Sequence, residues 1–194
     1  MAFLRAFADD DAPPLRGEGV WLRVPQAGDY EEWADLRARS RDFLKPWEPT
    51  WPADDLTRAA FRRRLRRYGE ERRLDHAHSF FLFLNDTQEL IGGVTISNIR
   101  RSVAQTGTVG YWMGEPFHGR GHMTAGVRAL IPHAFGALRL RRLEAACIPT
   151  NAASIRLLEK VGFGREGYAR EYLCIDGVWR DHLLFALLRS DAKG

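Results

Sequence analysis

Between Ser79 and Met113 the chain holds three β-rich runs in succession, SFFLFL, ELIGGVTISN and TGTVGYWM, and the third breaks on EPFHGRGH directly into a helical pattern. The apolar period changes there from about 2 to about 3.6, so a strand must feed a helix through a glycine-containing turn. Such a junction belongs to a sheet with helices laid against it. The first two runs are joined by Asn85-Asp86-Thr87-Gln88 and read as a hairpin. Residues 123–138 carry the helical spacing, with Pro132 inside, and the missing backbone donor predicts a kink or a split there.

The flanks follow the same logic. Residues 19–25 (GVWLRVP) alternate as a first strand, and Asp29 is placed to cap the pattern YEEWADLRARS. FLKPWEPTWP, residues 43–52, is broken by prolines and stiffened by Trp47 and Trp51, which predicts an ordered loop or short helical turn. Asp54 or Asp55 then caps a second helix running to about Arg73. Farther on, RRLEAACI reads as a strand and NAASIRLLEKV as a helix starting at Asn151; Gly162 ends it, and two strands close the chain across the Asp176-Gly177 turn. The order β, α, α, β, β, β, α, β, α, β, β predicts an α+β fold. It also predicts one domain over residues 1–194, a length that buries roughly 70% of the unfolded chain's surface.

Lys plus Arg is 29 against Asp plus Glu at 25, a formal charge of +4 that suits an anionic ligand or an RNA-rich neighbourhood without singling out either. The arginines of FRRRLRRYGEERR, residues 61–73, read first as a solvated helix face, with ribosomal RNA or an acidic partner as the alternative. Cys147 and Cys174 have no metal-ligand spacing, so neither a zinc site nor a disulfide framework is expected. The N-terminal MAFLRAFADDDAPPLRG lacks a signal-peptide pattern, and no run approaches a membrane span. A reduced cytoplasmic chain with no membrane contact is expected. Its oligomeric state is left open.

The turn before the third helix is the chemical feature. Gly119 and Gly121 let the backbone approach a ligand without a Cβ, and unpaired N–H groups at a helix start carry about half a positive charge. A pyrophosphate fits such a point, with Arg120 or His122 adding side-chain contacts. The pattern is neither GxxxxGK[ST] nor GxGxxG. A plain connecting turn is the competing reading.

Two motifs together, His118-Gly119-Arg120-Gly121-His122-Met123 and NAASIRLLEKVGF, resemble the GNAT N-acetyltransferase superfamily and its acetyl-CoA loop Q/R-x-x-G-x-G/A. His118 stands where the family has Gln or Arg, and Met123 where it has a small residue. With FLKPWEP near the start and GFGREGYAREYLCIDGVWRDH near the end, the chain resembles the RimJ branch of the RimJ/RimL protein-alanine N-acetyltransferases from about Leu15 to Leu188. The resemblance implies a GNAT fold with a central mixed, mostly antiparallel sheet and helices on both faces. It also implies acetyl transfer from acetyl-CoA, without a metal, to the α-amine of a protein N-terminus, with ribosomal proteins as usual partners. Acetyl-CoA would then lie on Met113, His118, Gly119, Arg120, Gly121, His122, Met123 and Thr124, with Asn151 bonding the pantetheine arm.

The resemblance assigns Ser154 as the acid that protonates the departing thiolate. As a residue in the first turn of a helix, Ser154 also suits a local backbone bond, and Asn151 also suits an N-cap, a role that can coexist with the bond to pantetheine. Glu171 matches an acidic residue facing the acceptor, able to take a proton through water; the plain alternative is a solvated strand glutamate. Glu115 and Glu48 are the other candidates for the base. His182 reads as structural, since no nucleophile spacing surrounds it. An α-amine, with a pKa of about 7.7–8.0, needs only a modest base. Two other functions fit the sequence: acetylation of a small amine such as an antibiotic or polyamine, and a non-catalytic ribosome- or RNA-binding module.

Overall fold

The computed structural model describes residues 13–193; the N-terminal segment with Asp9, Asp10 and Asp11 lies outside the described residues. A short strand β1 (Leu15–Gly17), absent from the sequence reading, pairs antiparallel with β2 (Val20–Arg23). Helix α1 (Tyr30–Arg39), a single turn α2 (Arg41–Leu44) and α3 (Arg58–Arg73) follow. The proline-broken segment begins in the last two residues of α2 and forms a 3-10 turn at Lys45–Trp47, the short helical turn expected of that composition.

The cap of α3 differs from expectation. Thr57 starts it, its hydroxyl accepting from the Ala60 N–H at 3.2 Å, while Asp54 and Asp55 pair instead with Arg63 and Arg64 one side of the helix away. The carboxylates gain a cation by leaving the cap to a neutral hydroxyl.

Strands β3 (His78–Leu84), β4 (Leu90–Arg100) and β5 (Thr106–Met113) form an antiparallel meander, and α4 (His122–Phe135) leaves β5 through the glycine turn. Pro132 neither splits nor ends α4 at once. The helix runs three residues past it, and Gly136 N–H closes on the Pro132 carbonyl at 2.8 Å, so the lost donor falls in the last turn. Then come β6 (Arg142–Cys147), α5 (Ala152–Lys160), β7 (Gly164–Ile175) and β8 (Val178–Leu188). Asp176 and Gly177 both take positive φ, 45° and 79°, which suits the primed turn of a two-residue hairpin.

One sheet runs in the order β1-β2-β3-β4-β5-β6-β8-β7. It is mixed and mostly antiparallel: among the described strands only β5 and β6 pair in parallel. Alternation along β3 sends Phe80 and Leu82 into a core with Val127 and Leu130 of α4 and Leu158 of α5, and Phe81 and Phe83 into a second core with Trp33 and Leu36 of α1 and Phe61 of α3. Helices therefore cover both faces, as expected of this order of elements.

Candidate active site

The parallel pair is where the sheet opens. β5 and β6 pair only from Thr106–Thr108 to Arg142–Glu144, whereas β5 stays bonded to β4 out to Met113 and β6 to β8 out to Cys147. Beyond Thr108 each strand keeps its outer neighbour and loses its inner one. A cleft of about 740 Å³ lies beside the freed end of β5, the turn after it and the start of α5.

The turn is held from behind and open in front. Glu115 N–H donates to the buried Ser40 Oγ at 2.9 Å, and the His118 ring packs on Phe43 with its Nδ1–H on the Glu115 carbonyl at 3.2 Å. Gly119 and Gly121 take φ of +74° and +85°, in the left-handed region, and a Cβ at either would meet nothing within 4 Å. No side chain caps α4 at Gly121. Among the described residues none of the N–H groups from Gly119 to Thr124 finds a partner, so they form an anion cradle at a helix start.

Asn151 caps α5, its Oδ1 accepting the Ser154 N–H at 3.0 Å. This is the capping role that sequence allowed, and it leaves the Asn151 amide N–H₂ unbonded among the described residues. Ser154 Oγ meets the phenol of Tyr111, from β5, at 3.2 Å. Burial pushes the Tyr111 pKa up to about 12, the Ser154 contact acting in the opposite sense. Tyr111 went unnoticed in the sequence because TGTVGYWM reads as a uniform strand. Its alternation with the buried Val109 was the available signal.

The far wall comes from Phe43, Leu44, Trp47 and Glu48. Glu48 is fully engaged: Arg37 donates Nη1 to Oε1 at 2.9 Å and Nη2 to Oε2 at 2.7 Å, and Trp51 Nε1 adds 2.7 Å. The Arg37 guanidinium also lies over the rings of Trp51 and Trp112, 4.1 and 5.0 Å from their centroids. The Glu48 carbonyl accepts Asp176 N–H at 3.0 Å, so this loop and the tip of the β7–β8 hairpin are one unit.

With this geometry, the chain matches the acetyltransferase (GNAT) domain family over residues 19–164. It belongs to that family.

The acetyltransferase is 37% identical over 183 residues to the ribosomal protein uS5-alanine N-acetyltransferase of Escherichia coli, covering 93% of this chain and 94% of the relative. It is 36% identical over 177 residues to the probable N-acetyltransferase YjcK of Bacillus subtilis, covering 91% and 98%. The solved structure of Mycobacterium smegmatis RimJ in complex with CoA-disulfide superposes with a TM-score of 0.87 at 31% identity, covering 94% of this chain and 88% of that one. The acetyltransferase is thus an N-acetyltransferase of the RimJ/RimL type with a GNAT fold.

The cleft gathers Met113, His118, Gly119, Arg120, Gly121, His122, Met123, Thr124, Asn151 and Ser154. It does not gather Glu171 or Glu115. Glu171 sits exposed at a bulge in β7 with φ of 46°, its N–H donating to Asp181 Oδ1 at 2.8 Å. Glu115 is exposed in a 3-10 turn. His182 is buried against Tyr172, with its Nδ1–H on the Arg180 carbonyl at 2.9 Å. Along α3, Arg58, Arg63, Arg64 and Arg67 pair with Glu31, Asp54, Asp55 and Glu71. Cys147 and Cys174 are free thiols, and burial pushes the Cys147 pKa up to about 11. Among the described residues no group of three His, Cys, Asp or Glu is arranged to hold a metal, and no helix is long and apolar enough to cross a membrane.

Proposed function

We propose that this acetyltransferase transfers the acetyl group of acetyl-CoA directly to the α-amine of a protein N-terminus, an alanine of a ribosomal protein being the acceptor indicated by the relatives' names. The observation that carries the reading is that an N–H cradle and a hydroxyl sit in one cleft, the first fitted to a pyrophosphate and the second to a leaving group. The residues present fit CoA. Gly119 and Gly121 leave the space in front of the N–H groups free, and the unbonded amide of Asn151 matches a pantetheine arm. Bound acetyl-CoA supplies an activated acyl group; the chain supplies orientation and protons. Main-chain N–H groups from Gly119 to Thr124 would hold the phosphates, with Arg120 and His122 adding side-chain contacts and Met113, at the end of β5, lining the same cleft. Ser154 gives a proton to the departing sulfur.

The base needs little strength, since an α-amine is already partly free near neutral pH. Glu48 has no oxygen without a donor, which suits it to shaping the wall rather than to accepting a proton. Glu171 serves as base only through water, because it stands outside the cleft. A ribosomal acceptor places the protein in the cytoplasm.

Ser154→Ala is expected to lower kcat by about 10- to 100-fold with little change in acetyl-CoA affinity, the low side of general-acid effects. Glu171→Gln is expected to lower kcat/KM less than this, with the pH profile displaced upward. Steady-state kinetics on both variants check the pair, and wild-type turnover in Ser154→Ala removes the serine from the reaction.

The acceptor is tested with two peptides, one with a free N-terminal Ala and one blocked there but carrying an internal Lys. At neutral pH a lysine with a pKa of about 10.4 offers a few hundred times less free amine. The free-Ala peptide should be acetylated faster; faster acetylation of the blocked peptide, an aminoglycoside or a polyamine overturns the acceptor assignment.

A further inference from the structure

The Tyr111 phenol is the only side-chain partner of Ser154 Oγ among the described residues, and it reaches the serine from another element, 43 residues away in sequence. We propose that Tyr111 is a positioning residue for acetyl transfer: it donates to the Ser154 oxygen from the sheet side and so turns the single hydroxyl proton of Ser154 into the cleft. The proposal rests on the assignment of Ser154 as the acid.

The direction of the bond follows from chemistry. A phenol is a far stronger acid than an alkyl hydroxyl, so Tyr111 donates and the serine oxygen accepts. Tyr111 is mostly buried, and its pKa, pushed up by burial to about 12, keeps the phenol protonated around neutral pH. A hydroxyl has one proton and two lone pairs. Without a fixed partner, a serine hydroxyl rotates freely and gives that proton to whichever nearby backbone carbonyl or water it meets. With one lone pair fixed by Tyr111 and the backbone fixed by the Ser154 N–H on Asn151, the side chain is held in one orientation.

The bond also bears on acidity. A serine that yields its proton develops negative charge on oxygen, and a donor aimed at that atom favours the charged form. The proton count closes without consuming Tyr111. As the acyl carbon–sulfur bond breaks, the sulfur takes the Ser154 proton; the one proton shed by the acylated nitrogen passes to water and the base, the Ser154 oxygen regains a proton from that same water, and the phenol keeps its own. Tyr111 alternates with Val109 onto the sheet face that α5 packs against, and this brings its phenol to the start of α5.

Tyr111→Phe keeps the ring and removes only the donor. The expected result is a fall in kcat of about tenfold, constant from about pH 6 to about pH 9, with KM for acetyl-CoA unchanged within about twofold. The double variant Tyr111→Phe/Ser154→Ala should match Ser154→Ala alone, since Tyr111 acts through the serine. Thermal unfolding and acetyl-CoA titration show first that each variant is folded. A drop in Ser154→Ala with wild-type kcat in Tyr111→Phe overturns the positioning role and leaves the acid intact. A tyrosine effect that persists undiminished without the serine overturns the route through Ser154. Wild-type turnover in Ser154→Ala removes the acid assignment and this proposal with it.

Discussion

Gly121→Val is expected to weaken acetyl-CoA binding by about 100-fold in a protein that still folds. The cost does not come from crowding, because a Cβ at position 121 meets nothing within 4 Å. It comes from φ. At +85° a β-branched residue is strained by about 1–3 kcal/mol, and the chain relieves that strain by rotating the peptides on either side. Those peptides carry the N–H groups of the cradle. A bond from an N–H to a charged oxygen contributes about 1.5–3 kcal/mol, so losing two of them corresponds to roughly 100-fold or more in affinity. The remainder of α4 is anchored by Val127 and Leu130 in the core, so damage stays local. Calorimetric titration of the folded variant checks it, and unchanged affinity moves the phosphate site away from this turn.

The parts of the site that could be read in the sequence are those built from neighbours along the chain. EPFHGRGH between a strand and a helix specifies its own N–H cradle, because two glycines and a helix start need no distant partner. Asn151 likewise shows its capping bond to Ser154 three residues on. The hidden parts depend on elements brought together by folding. Nothing near Tyr111 in the sequence indicates that the sheet opens beside it, since that depends on where β5 and β6 cease to pair. Asp54 and Asp55 looked like caps, but Arg63 and Arg64 compete for them from the next turns, and the stronger attraction wins. The motif around Glu171 gives no sign of the irregular pairing between Ala169 and Leu173, within which Glu171 takes a positive φ of 46°. Bulges leave no mark in an exposed strand whose pattern alternates weakly.

Arg37→Ala is expected to have the largest effect on stability of any single change near the cleft. Arg37 and Glu48 are mostly buried, with side chains 7% and 18% exposed, and they share a bidentate bond. Removing one partner of such a pair costs about 3–5 kcal/mol, because the other is left buried without its counter-charge. Here Glu48 would keep only the Trp51 N–H, and the two tryptophan rings would lose the cation between them. Glu48→Ala should cost a similar amount through the stranded guanidinium, while Arg37→Met/Glu48→Met should cost much less than the two losses combined, since apolar side chains of similar length fill the same space. Denaturant unfolding of the three variants measures this coupling, and simple additivity would show that the pair is not a unit. Function should follow through the wall it supports. Asp176 N–H holds the hairpin tip to the Glu48 carbonyl, so a loosened Glu48 loop is expected to widen the cleft on the wall it forms, while Glu115 N–H still holds the glycine turn to Ser40. In Glu48→Gln, which keeps one acceptor for Arg37, KM for the acceptor peptide should rise with acetyl-CoA affinity unchanged. Equal losses for both substrates would mean that the aromatic loop and the cofactor turn move together.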